Sequence, residues 1–146
     1  IKIRAGVSHS ALLTSDGNIL TWGSDNCGQL GHGTKKDRDS PTVIDSLSGE
    51  KLIDIDLGYA ATVAISASGY LFYWGVLTGL GTHSTPQSVK IQGKPLSVKA
   101  GKFHCLVLVS QVSEVDGEYV NVNHVYGLGR NNRRQLGVAT QSDNQN

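Results

Sequence analysis

Apolar residues along this chain fall in short runs, separated by polar steps that carry glycine. Ser10 to Thr14 and Asn18 to Trp22 are two such runs, joined by Ser15-Asp16-Gly17. Gly17 supplies the positive φ that a short hairpin loop needs. Ala61 to Ser66 and Tyr70 to Trp74 repeat the arrangement around Ala67-Ser68-Gly69. A third strand is predicted at Thr42 to Ile44 after Pro41, and again at Gln87 to Ile91 after Pro86. A fourth is predicted at Leu52 to Leu57, and again at Leu96 to Ala100. The alternation of inside and outside positions is blurred where Val63, Ala64 and Ile65 follow one another. A strand covered on both faces reads that way. No window carries a capped amphipathic helical stripe.

The chain is internally repetitive. Residues 5–23 (AGVSHSALLTSDGNILTWG) align with residues 57–75 (LGYAATVAISASGYLFYWG). Gly6, Gly17, Trp22 and Gly23 meet Gly58, Gly69, Trp74 and Gly75, always 52 residues on. A third copy places Gly101 and His104 on Gly6 and His9, 95 residues on. It resumes with Leu128 to Gly137 on Trp22 to Gly31, now 106 residues on. The difference is an 11-residue insertion between Ser110 and Val125. The second copy is shortened, running from Trp74-Gly75 into Val76-Leu77-Thr78-Gly79-Leu80-Gly81 without a Gly-Gln step. The copies lie near 1–51, 52–94 and 95–137, with 138–146 as a polar tail or linker. A repeat of about fifty residues with four short strands predicts an all-β protein of stacked blades. The expected architecture is a partial β-propeller of about three four-stranded antiparallel blades. Trp22, Trp74, Leu30, Leu80 and Leu136 are its expected packing residues.

Gly-x-x-His before an apolar strand, a glycine hairpin, Trp-Gly and then Gly-Gln-Leu-Gly resembles the repeat of the regulator of chromosome condensation (RCC1) family. The resemblance spans essentially residues 1–137 and departs from the pattern at Ala61, where a histidine is expected. It implies a propeller of seven blades when complete. Three blades alone leave apolar sheet faces bare. The remaining blades are therefore expected from chain outside this sequence. The start at Ile1-Lys2-Ile3 inside an apolar run, without methionine, leads to the same expectation of an excerpt.

Composition narrows the function. Of the 146 residues, 38% are hydrophobic and 17% charged, with a net charge of +1. That balance excludes an acidic disordered tail, a strongly basic nucleic-acid arm and a membrane span. Nucleic acid is expected to be reached only indirectly, through chromatin. Cys27 and Cys105 form no CxxC pair and are expected as thiols in a reducing compartment, cytoplasmic or nuclear. Gly28-Gln29-Leu30-Gly31-His32-Gly33-Thr34-Lys35 fails as a phosphate loop, because threonine precedes lysine and no helix follows. The histidines at 9, 32, 83, 104 and 124 have no metal-ligand spacing. His9 and His104 share a repeat position, so their first expected role is to order loop backbone. No carboxylate recurs beside them to orient a base. No catalytic residue, metal or cofactor is expected.

The favoured function is a protein-interaction scaffold within a larger regulatory protein, since loops on a rigid framework carry binding. The resemblance assigns contact to the loops Gly6–His9, Gly58–Ala61 and Gly101–His104, with Ser8, His9, Tyr59, Lys102, Phe103 and His104 as candidates. The insertion adds Asp116, in an Asp-Gly turn, and Tyr119 as a second candidate contact, with a merely tolerated insertion as the equal alternative. Lys35 to Asp39 reads as a solvated connection. Arg130, Arg133 and Arg134 read first as a solvated turn and second as a contact for an acidic partner. The alternative function is guanine-nucleotide exchange on a Ran-type small GTPase, at chromatin. Exchange factors of this family place acidic side chains in the two positions after the loop glycine. Here those positions hold Val7-Ser8, Tyr59-Ala60 and Lys102-Phe103. The family's protruding wedge follows a Trp-Gly, whereas Trp74-Gly75 leads into a shortened loop.

Overall fold

A computed structural model describes residues 1–138. The expected tail over 138–146 lies, apart from Val138, outside the described residues. Three antiparallel sheets follow one another along the chain. The first holds β1 (Lys2–Ala5), β2 (His9–Leu13), β3 (Ile19–Gly23) and β4 (Arg38–Val43), in that order. The second holds β5 (Leu52–Leu57), β6 (Ala61–Ser66), β7 (Tyr70–Leu77) and β8 (Gly81–Lys90). The third holds β9 (Lys94–Ala100), β10 (His104–Val115) and β11 (Glu118–Gly129).

Two expectations are corrected in detail. The strands predicted to start after Pro41 and Pro86 start earlier and contain these prolines. Both are the last strand of their sheet, where an unmatched proline nitrogen breaks no ladder on the open side. The third sheet has three strands rather than four, because no described residue pairs with the outer edge of β11. The strands predicted at Leu52 to Leu57 and Leu96 to Ala100 pair with β6 and β10, so each opens a sheet.

The second sheet lies between the other two and is apolar on both faces. Ala64, Phe72 and Trp74 pack against Ala11, Leu13 and Ile19 of the first sheet. Val63, Ile65 and Leu71 pack against Val98, Cys105 and Val107 of the third. Every residue of β6 is buried, which accounts for its unbroken apolar run. Trp74 and Leu30 are both fully buried. Trp22, Leu80 and Leu136 are only half-buried. Cys27 and Cys105 are free thiols, and burial pushes the Cys105 thiol up to about 11.

The first strands of the three sheets are tied together by carboxylates of β5. Lys2 Nζ donates to Asp54 Oδ1 at 2.7 Å. Asp54 Oδ2 accepts from Ser97 Oγ at 3.0 Å and from the Val98 N–H at 2.9 Å. Asp56 Oδ2 accepts from the Ala100 N–H at 2.8 Å, and Arg4 Nε lies 3.4 Å from Asp56 Oδ1. Burial raises the Asp54 carboxyl, but hydrogen bonds from Lys2, Val98 and Ser97 outweigh it, leaving the group below its ordinary value. Among the described residues no helix is long and apolar enough to cross a membrane.

Candidate interaction face at the Gly-x-x-His loops

The same turn is built three times. The Gly6 N–H donates to the His9 carbonyl, Gly58 to Ala61 and Gly101 to His104, each at 2.8 Å. Glycine is required by close approach. A Cβ on Gly6 would lie 2.8 Å from the His9 ring and 3.2 Å from the Gly58 carbonyl oxygen. A Cβ on Gly58 would lie 2.6 Å from the Gly101 carbonyl oxygen. The loops therefore stack side by side, and the residues after each glycine form one face.

The structure sorts the candidate residues. Ser8, Tyr59 and Lys102 are exposed on this face, and Phe103 and His104 are half-buried beside them. His9 is instead turned inward and is only 3% exposed. Its Nε2 lies 3.0 Å from Thr62 Oγ1, whose hydroxyl donates to the Gln29 carbonyl at 2.8 Å. With that proton committed, Thr62 Oγ1 accepts from His9, which places the imidazole hydrogen on Nε2. The ring thus joins the first sheet to the second. Nδ1 has no partner, and burial draws the pKa from 6.5 down to about 4. A neutral structural histidine follows, but its ring bridges two sheets through the Thr62 side chain rather than ordering loop backbone, the role expected from its recurrence.

Tyr59, Lys102, Phe103 and Arg130 form a cluster. The Tyr59 and Phe103 rings are 5.9 Å apart at their centroids. Lys102 Nζ sits 4.9 Å from the Tyr59 centroid and 5.2 Å from that of Phe103. Arg130 Cζ sits 5.7 Å from the Phe103 centroid. These are cation–π distances. Two depressions meet at Lys102. One, of about 570 Å³, runs over the loop glycines between Val7, Leu57 and Tyr59. The other, of about 360 Å³, lies between Phe103, Arg130 and Arg133.

Asp116 and Tyr119 lie elsewhere. Asp116 and Gly117 take φ of 53° and 82°, the conformation of a two-residue hairpin turn, which Asp-Gly favours. Beyond Ser110, β10 pairs only with β11, so the hairpin projects past β9. Its tip is at the far end of β10 from His104, roughly 35 Å away at about 3.3 Å per residue. Sequence reasoning missed Asp54, Asp56 and Thr62. Opposite charges at repeat-equivalent positions, Lys2 with Asp54 and Arg4 with Asp56, were the available signal.

Two family models of the regulator of chromosome condensation (RCC1) repeat match this chain, over residues 1–29 and 16–65. The chain belongs to the RCC1-repeat family. The ultraviolet-B receptor UVR8 of Arabidopsis thaliana is 35% identical over 151 residues, covering 97% of this chain and 32% of the receptor. The E3 ubiquitin-protein ligase HERC2 of Homo sapiens is 30% identical over 147 residues, covering 97% of this chain and 3% of the ligase. The RCC1-type chain thus spans a third or less of these relatives. Human WBSCR16 matches in structure with a TM-score of 0.69 at 28% identity, over 75% of this chain and 30% of that one. Prp20p of Saccharomyces cerevisiae, described with its binding properties to Gsp1p and histones, matches with a TM-score of 0.73 at 19% identity. That match covers 98% of this chain and 35% of Prp20p. The RCC1-type fold seen here is a partial β-propeller, with its sheets as blades.

Proposed function

We propose that residues 1–137 form part of an intracellular protein-interaction module, which binds a protein partner through the stacked Gly-x-x-His loops. The observation that carries this reading is the division of labour at the loops. Ser8, Tyr59 and Lys102 stand exposed on three equivalent, backbone-locked turns, while His9 is spent on the junction beneath. A rigid scaffold with side chains held outward lowers the ordering cost of association. The groups best placed for chemistry, His9 and Asp54, are buried and already hydrogen-bonded within the protein. Membership of a family that includes a receptor and a ubiquitin ligase is compatible with such a module. The loop positions that the family resemblance ties to acidic side chains in exchange on a Ran-type GTPase are held here by Val7, Ser8, Tyr59, Ala60, Lys102 and Phe103, which favours the scaffold reading.

Photo-crosslinkers placed in the intact protein at Val7 and Tyr59, and at Asp16 and Ser68 on the opposite end of the sheets, test the reading. Partner crosslinks are expected from the first pair only. Nucleotide release from a Ran-type GTPase is expected to be unchanged by the protein. Accelerated release would establish the exchange reading instead.

A further inference from the structure

We propose that Tyr59, Lys102, Phe103, Arg130 and Arg133 form a docking site for an acidic peptide segment. Its carboxylates would sit on the cations and an apolar side chain in the adjoining cleft. The proposal rests on the interaction face described above and names the chemistry of its partner. Among the described residues every ion pair is made by Asp54 or Asp56, so Lys102, Arg130 and Arg133 meet no carboxylate of their own. Two of these cations are nevertheless held in place, Lys102 over both rings and Arg130 over Phe103. Aromatic faces position the charge without neutralising it, so less side-chain entropy is lost when an anion arrives. The guanidinium forks match carboxylates geometrically. The depression between Phe103, Arg130 and Arg133 continues past Lys102 into the cleft over Ala5, Val7 and Leu57. That continuity favours a chain that alternates charge with an apolar residue.

A neighbouring blade need not cover this surface. Val7 and Ser8, the repeat equivalents of Lys102 and Phe103, stay exposed beside the second blade, and Ser24 and Cys27, the equivalents of Arg130 and Arg133, are half-buried there rather than covered. Nucleic acid is the poorer fit. Tracking a phosphate backbone takes a longer cationic stripe than this cluster offers, and the net charge is only +1.

The test is fluorescence anisotropy on the intact protein at physiological salt. The probes are a labelled Asp/Glu-rich peptide carrying one leucine, its Asn/Gln counterpart and a short single-stranded oligonucleotide. The acidic peptide is expected to bind and the amide version to fail. Combined Lys102→Glu, Arg130→Glu and Arg133→Glu should weaken binding by about tenfold or more. Lys94→Glu, at the other end of β9, should leave it unchanged, and circular dichroism confirms that each variant folds. Equal binding of the oligonucleotide, or indifference to charge reversal at the cluster, would overturn the proposal. If the peptide fails while loop-face crosslinks persist, the acidic chemistry falls and the interaction face stands. If both fail, the face itself is refuted.

Discussion

In the loop Asp25 to Gly31, the Leu30 N–H donates to Asp25 Oδ1 and the Cys27 N–H to Gln29 Oε1, both at 2.9 Å. In the loop Asn131 to Gly137, Leu136 donates to Asn131 Oδ1 and Arg133 to Gln135 Oε1, again both at 2.9 Å. The hydrogen bonds are those of one turn, built with Asp in one place and Asn in the other. The settings differ. Gln29 and Leu30 are buried, Gly33 donates to the Ser84 carbonyl at 2.7 Å, and Gly31 abuts the Trp74 indole. Gln135 and Leu136 are half-buried, and a Cβ on Gly137 would meet nothing within 4 Å. The turn is therefore a local property, and its burial is conferred by the adjoining blade.

Removing what the first loop docks on should do most damage. Trp74→Ala is expected to cost about 3–5 kcal/mol in urea unfolding, the range for a fully buried large aromatic. Trp22→Ala, at the half-buried equivalent, should cost clearly less. Equal losses would break the comparison.

Acid should act next on the same junction. His9 has a folded pKa of about 4 against 6.5 unfolded. Between these values the unfolded chain binds a proton that the fold excludes. The stability is full above pH 6.5 and falls as pH drops towards about 4, by on the order of 3 kcal/mol. Denaturation followed across that window in the wild type and in His9→Gln should show a slope that the variant lacks. A shared slope would remove His9 as its source.

Gly31→Ala and Gly137→Ala separate strain from contact. Both glycines have positive φ, 83° and 71°, but only the Gly31 Cβ would strike a neighbour, 2.8 Å from Trp74 Nε1. The expected costs in thermal unfolding are about 3 kcal/mol and about 1 kcal/mol. The smallest effect belongs to Arg134, which takes φ of 58° where the first loop has Gly28. Arg134→Gly should stabilise by less than about 1 kcal/mol by relieving that conformation. A loss of stability would show that the Arg134 side chain contributes a contact of its own.

The hairpins around Gly17, Gly69 and Asp116-Gly117 were readable because their backbone needs are met by residues within the turn. The burial of both faces of β6 was readable too, from Val63-Ala64-Ile65. The candidate site was readable only in part. Ser8, Tyr59, Lys102 and Phe103 emerged from the repeat register, but nothing in that register separates the inward His9 from the half-exposed His104. Nor does it reveal that Asp116 and Tyr119 belong to the opposite end of the third blade. Pro41 and Pro86 misled the strand limits, because a proline is tolerated on a sheet's open edge and nowhere in its middle.

Spacing of glycine, tryptophan and apolar residues determined, by itself, that this chain makes repeated antiparallel sheets joined by equivalent turns. Those are choices of backbone conformation, settled within a few residues. Tertiary structure alone decided which member of each equivalent set is buried, as with Trp74 over Trp22, His9 over His104 and Gly31 over Gly137. It alone brought Lys2 to Asp54 and Lys102 between Tyr59 and Phe103. The reason is that burial and ion pairing depend on a neighbour some fifty residues away, whose position is set by how the blades stack.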